Sequence, residues 1–223
     1  MEHNNKNLLI DIRNLTWGYT QSASVIFSKF NFSLEKNEFR VVMGRSGVWK
    51  STLVKLIIGQ LKAPKSSIFY KWDDVAKYND EEVQKYRRKV WVVFQDYNLL
   101  DSLSVKENIE YPLRLYGVDE KTIETKFKNI IQKLEISKII HSSTKHLSSW
   151  EKQKVCIARA LIHDPEFLIA DEPTWNLDRE HTQQVADLLI EANKLGNAVL
   201  LITHDIHLLN YLKEKHEITI NSL

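Results

Sequence analysis

Gly44-Arg45-Ser46-Gly47-Val48-Trp49-Lys50-Ser51-Thr52 is the stretch that decides the fold. It follows the phosphate-binding pattern G-x-x-x-x-G-K-[ST], with tryptophan in the slot of the last glycine. Phe39-Arg40-Val41-Val42-Met43 runs into it as a short β-rich segment. After Lys50, apolar residues recur at helical spacing and stop at Gly59. Strand, glycine loop and helix form the context in which the pattern binds phosphate. The loop's backbone N–H groups turn inward on phosphate oxygens, with the positive end of the helix behind them. Gly44, Arg45, Ser46, Gly47, Val48 and position 49 are thus expected to form the cradle. Lys50 is expected to place a charge at the outer phosphates, Ser51 to offer a hydroxyl to a divalent cation, and Thr52 to close on the inner phosphate.

Working outward, residues 8–12 and 24–32 read as strands before the loop. Beyond it, residues 90–94, 167–170 and 198–202 are apolar runs of strand length. Between them, residues 105–115, 121–134 and 151–161 have helical periodicity. Apolar strands alternating with helices predict an α/β fold, with a mainly parallel sheet covered on both faces. The strand at 167–170 delivers Asp171 and Glu172 at its carboxyl end, where open α/β sheets bind ligands. Behind a phosphate loop, Asp171 is expected to orient Mg²⁺ and its water. Glu172 is expected to polarise the attacking water as general base.

Leu147-Ser148-Ser149-Trp150-Glu151 and the helix to Leu161 resemble the signature motif L-S-G-G-[EQ] of the ABC-type ATPases. Asp171-Glu172-Pro173-Thr174-Trp175-Asn176-Leu177-Asp178 is similar to that family's D-E-P-T-G-N-L-D. The resemblance runs from Tyr19 to Asp205, with the motifs in the family's order. It implies a P-loop NTPase with a RecA-like core, an antiparallel β-subdomain and a helical subdomain at about residues 96–155, all in one cassette spanning residues 1–223. It implies ATP and Mg²⁺ as ligands, and ATP hydrolysis as the activity. Tyr19 falls where the family stacks adenine. Gln95 falls where it contacts Mg²⁺ and the lytic water, and His204 where it meets the γ-phosphate. Ser148 falls where the signature binds the partner subunit's γ-phosphate, and Asp178 where the family makes a dimer contact. The implied working unit is a head-to-tail homodimer closing on two ATP molecules. It would sit on the inner face of the cell membrane beneath an integral membrane partner. Arg87-Arg88-Lys89-Val90-Trp91-Val92-Val93-Phe94-Gln95-Asp96 narrows the resemblance to the cell-division branch, with the lipoprotein-release and macrolide-export branches close behind.

Five of the six tryptophans fall on glycine positions of these patterns: Trp49, Trp150 and Trp175 closely, Trp72 and Trp91 more loosely. The chain has only six glycines in 223 residues, well under half the usual share of about 7%. Glycine lets backbone approach a phosphate or take positive φ, and a bulky residue forced into αL costs about 1–2 kcal/mol. An indole at 49 or 150 would stand where phosphate must lie. Three accounts compete. A decayed, nucleotide-insensitive scaffold should have lost other residue types too, yet Lys50, Gln95, Asp171, Glu172 and His204 all remain. Recruitment of tryptophan to a new role is hard to sustain at five glycine positions at once. Decoding is the third: a cell reading UGA as glycine, its gene translated with UGA as tryptophan, explains the deficit and the excess together. Ser149, at the first signature glycine, is a genuine departure.

Composition excludes several classes. A net charge of +2 with no basic tract gives no nucleic-acid footprint. One cysteine precludes a disulfide framework and fits a reducing, cytoplasmic setting. No apolar run is long enough to span a bilayer, and the polar N-terminus has no signal-peptide character.

Overall fold

Residues of alternating orientation along the central strands feed two separate hydrophobic cores, and the active edge of the molecule lies where those strands end. The computed structural model describes residues 7–19, 25–44 and 49–222. Arg45, Ser46, Gly47 and Val48, expected in the cradle, lie outside the described residues, as does Ser24 at the start of the expected second strand.

The strands are β1 (Leu8–Gly18), β2 (Val25–Glu35), β3 (Phe39–Met43), β4 (Ile68–Tyr70), β5 (Asp73–Asp74), β6 (Val90–Val93), β7 (Phe167–Asp171), β8 (Ala198–Thr203) and β9 (Thr219–Ser222). The helices are α1 (Trp49–Ile57), α2 (Asp80–Arg87), α3 (Val105–Leu115), α4 (Glu120–Lys133), α5 (Ser149–Leu161), α6 (Arg179–Lys194) and α7 (Ile206–Lys215). One sheet has the order β6-β7-β8-β3-β9 and is parallel throughout. The other, β2-β1-β4-β5, is antiparallel. The expected α/β class and both sheets are therefore present.

The parallel strands read as continuous apolar runs because both faces are covered. Val41, Leu168, Ala170, Val199 and Leu201 face a core shared with α3, α4, α5, α6 and α7. Val42, Phe167, Ile169, Leu200 and Ile202 face the other way, into a core shared with α1 and the antiparallel sheet. Phe167 is fully buried at the centre of the second core. Truncating such a ring to alanine costs about 3–5 kcal/mol.

Register aligns the carboxyl ends. Met43 pairs with Thr203, Asp171 with Ile202, and Val93 with Ala170. The segments leaving β3, β6, β7 and β8 therefore emerge side by side, at the edge where open α/β sheets bind ligands.

Candidate active site

Lys50 is the second residue of α1 and is 4% exposed. Its Nζ donates to Glu172 Oε1 in a close, buried ion pair. Glu172 follows β7 directly, its N–H still bonded to Ile202 O at 2.9 Å. Its φ of 47° is in the left-handed region that non-glycine residues avoid. Such a conformation persists when its surroundings over-determine it, and here they do. Thr203 Oγ1 donates to Glu172 Oε2 at 3.0 Å, and the His204 N–H donates to the same oxygen at 3.3 Å. His204 Nδ1 lies 2.7 Å from Oε1. Burial pushes the Glu172 carboxyl up, but hydrogen bonds from Lys50, His204 and Thr203 outweigh it and hold the group below its ordinary range.

Asp171 behaves oppositely. Burial raises its carboxyl above the usual range, and the hydrogen bond from Ser51 Oγ, 3.1 Å from Oδ2, only partly offsets this. Asp171 and Ser51 line a cleft of 610 Å³ together with Gln95, Trp175 and Asn176. Two hard oxygen donors with an exposed carboxamide on the same wall suit a divalent cation such as Mg²⁺. The Tyr19 hydroxyl lies 3.2 Å from Thr52 Oγ1, which sets its ring beside the start of α1. Trp17 packs edge-on against that ring, 4.7 Å between centroids.

Five of the expected residues, Lys50, Ser51, Asp171, Glu172 and His204, thus form one connected group, with Gln95 on the wall of the same cleft. Ser148 belongs elsewhere. It is the N-cap of α5, where its hydroxyl donates to Glu151 Oε2 at 2.8 Å and accepts from the Glu151 N–H at 3.3 Å. Asp178 caps α6 and accepts from His181 N at 2.9 Å. Thr203 was not among the expected residues. Its signal was its place, a hydroxyl at the end of a core strand immediately before His204.

The tryptophans divide in a way the sequence did not anticipate. Left-handed strain was expected at the glycine-like positions, but of Trp17, Trp72, Trp91, Trp150 and Trp175 only Trp72 has positive φ, 77°. Trp49 and Trp150 stand in the first turns of α1 and α5, where helical φ suits any residue. The obstruction at 49 is steric instead. Trp49 Cζ2 lies where a Cβ on Gly44 would have to go, so the indole covers the bare face of that glycine. The Trp175 ring is 45% exposed and lies 5.9 Å from His204. The Trp150 ring packs 5.2 Å from His181. Trp17 is held as a tryptophan, its Nε1 donating to Lys62 O at 3.2 Å.

Comparison with known proteins agrees with this geometry. The model of the family described as "ABC transporter" matches residues 27–175. The chain is 35% identical to the cell division ATP-binding protein FtsE of Haemophilus influenzae over 201 residues, 90% of this chain and 92% of the relative. It is 32% identical to FtsE of Bacillus subtilis, covering 93% and 90% of the two chains. Among solved structures it resembles the dimeric post-hydrolysis state of the ATP-binding cassette MJ0796 bound to ADP and Pi. The TM-score is 0.81 at 28% identity, with 91% of each chain covered. These likenesses lend no support to a nucleotide-insensitive scaffold. Matched over most of its length by the family model, and by relatives above 30% identity, the chain belongs to the ABC transporter family as one of its ATP-binding, ATP-hydrolysing cassettes.

Proposed function

We propose that this cassette drives a membrane complex of the cell-division type, or of the related lipoprotein-release and macrolide-export type. It would work as a head-to-tail homodimer at the cytoplasmic face of the membrane, beneath an integral membrane subunit. The names of its relatives favour the cell-division branch, and the dimeric cassette it resembles supports self-association. Among the described residues no helix is long and apolar enough to cross a membrane, so a separate membrane partner fits. The cassette is read as a single unit with a helical subdomain at about 96–155.

One observation carries the catalytic reading: Lys50, Glu172, Thr203 and His204 converge in a buried network beside the Asp171–Ser51 pair. We assign Lys50 to the β- and γ-phosphates, with Gly44 and residues 45–49 as the cradle and Thr52 at the inner phosphate. Tyr19 offers its ring to adenine. Ser51, Asp171 and Gln95 would hold Mg²⁺, which when bound neutralises charge on the β- and γ-phosphate oxygens. When Lys50 moves to the phosphates, Glu172 loses a partner that depresses its pKa and becomes a stronger base toward the attacking water. His204, half-exposed beside Glu172, would donate to the γ-phosphate. Ser148 and the α5 N-terminus would meet the partner subunit's ATP.

The indole at 49 conflicts with this reading as long as it covers Gly44. We therefore infer that positions 49, 150 and 175 are glycine in the native protein, encoded by UGA. ATP titration of the chain as written, against one carrying Trp49→Gly, Trp150→Gly and Trp175→Gly, tests this, with the intact mass of the native protein as the independent measure. Binding confined to the glycine form, with a native mass lacking the indoles, is expected. ATP hydrolysis by a chain with verified tryptophans at 49 and 150 would overturn it.

A further inference from the structure

The segment that follows Gln95 is held by the helices rather than by the strand it leaves. Tyr97 and Asn98 have φ of 62° and 47°. Asparagine tolerates the left-handed region, but a bulky aromatic residue does not adopt it without restraint. The restraint comes from α5. Arg159, 7% exposed, donates from Nη1 to Asn98 O at 2.7 Å and from Nη2 to Tyr97 O at 2.9 Å. Cys156, one turn earlier, donates from Sγ to the same Tyr97 oxygen at 3.1 Å. A second anchor comes from α3. The fully buried Asn108 accepts from the Leu100 N–H at 2.8 Å and donates to Leu100 O at 3.0 Å and Leu103 O at 3.2 Å.

We propose that Arg159 is a positioning residue for ATP hydrolysis: its guanidinium latches the backbone after Gln95 to the α5 helix, so that the loop travels with the helices and the pivot between them and the sheet is confined to residues 94–96. A planar guanidinium is suited to the task because its rigid fork aims a separate nitrogen at each of the two carbonyls, whereas an ammonium is a point charge on a flexible stem. The two left-handed residues give the loop an alternative state to relax into when the latch opens, since such strain is retained only while contacts enforce it. The N-cap of the latched helix is Ser148, so a displacement at Gln95 is delivered along one rigid element to the signature end. Arg159 and Asn98 also line a separate cleft of 380 Å³ with Trp91, Leu100, Tyr111 and Leu115. The latch is therefore accessible to whatever enters that cleft. The proposal rests on Gln95 acting at the nucleotide, as assigned above.

The test combines amide hydrogen exchange with steady-state ATPase kinetics on the full chain carrying glycine at 49, 150 and 175. Arg159→Met should accelerate exchange across residues 97–103 by about tenfold or more, because two charge-assisted hydrogen bonds to the loop are lost. Residues 167–171 of the central sheet should stay protected. The kcat should fall by a similar factor, with the KM for ATP within about twofold, since only transition-state positioning is lost. Arg159→Lys keeps the charge and should show an intermediate effect in both readouts. The decisive arm is Tyr97→Gly in the Arg159→Met background. Glycine takes positive φ without restraint but restores no bond to α5, so kcat should stay low. Unchanged exchange in Arg159→Met, or recovery of kcat with Tyr97→Gly, overturns the latch. Faster exchange with unchanged kcat overturns its part in hydrolysis. Gln95→Ala probes the underlying assignment by itself: full activity there sinks the role of Gln95, while the exchange data still decide whether the latch exists.

Discussion

Glu172→Gln should do two opposite things at once. Lys50 is engaged by the Glu172 carboxylate, and both groups are almost wholly buried, at 4% and 6% exposure. To reach a phosphate, Lys50 must leave that carboxylate. Replacing it with a carboxamide exchanges a hydrogen bond between two opposite charges for one from the same ammonium to a neutral oxygen. That weakens the hold on Lys50 by about 1.5 kcal/mol, or roughly tenfold in the competition between residue 172 and a phosphate oxygen. ATP affinity should rise by about that factor. Turnover should fall by about 10²–10⁴, the usual contribution of a positioned general base. The free protein should also lose stability, because a buried ammonium keeps only a neutral partner. A loss of about 2 kcal/mol lowers the Tm of a chain this long by roughly 4–8 °C, and saturating ATP should more than restore it. Calorimetric titration, phosphate release and thermal unfolding, run on the chain with Trp49→Gly, Trp150→Gly and Trp175→Gly, read all three effects. Weaker ATP binding in the variant, or a kcat within tenfold of the parent, would show that Lys50 and Glu172 do not compete as described.

Trp72 is the tryptophan whose backbone calls for glycine, with φ 77° and a ring 40% exposed. Trp72→Gly should therefore leave stability unchanged or raise it by up to about 1 kcal/mol. Trp17→Gly, which deletes an indole hydrogen-bonded to Lys62 O, should lower it; denaturant midpoints compare the two. His163 is buried enough to push its pKa down to about 4. A depressed histidine contributes stability above its unfolded value near 6.5. That contribution, at most about 3 kcal/mol, is lost as pH falls from 6.5 toward 4. His163→Gln should flatten this part of the stability–pH curve, and an unaltered slope would remove His163 as its source. Ser148→Ala deletes the hydroxyl of the α5 capping box and should cost about 1 kcal/mol in unfolding experiments without nucleotide; no loss there would discount the cap.

Much of the parallel sheet was legible along the chain because its strands are apolar on both faces. Phe39–Met43 stands as expected, and residues 167–170 and 198–202 each extend by one residue. The helix at Val105–Leu115 also matches its periodicity. What the local pattern missed was missed for different reasons. α2, with charged residues at most of its positions, carries little periodic signal. β4 and β5 are three and two residues long and exist only through pairing with β1 and each other. α6 and α7 did show apolar spacing, at Val185, Ala186, Leu189 and Ile190 and at Leu208, Leu209 and Leu212, but no motif drew attention to it.

Motif spacing was enough to select Lys50, Ser51, Asp171 and Glu172, because a phosphate loop and a strand-end carboxylate pair recur at fixed offsets from their strands, and the family resemblance added His204. It could not supply their protonation. Asp171 and Glu172 are neighbours of the same chemical type, yet burial raises one carboxyl while Lys50, His204 and Thr203 depress the other. Those partners come from segments up to 122 residues away. Only the parallel register that levels the ends of β3, β7 and β8 brings them within hydrogen-bond reach, because side-chain chemistry is local to the residue whereas the field around it belongs to the fold.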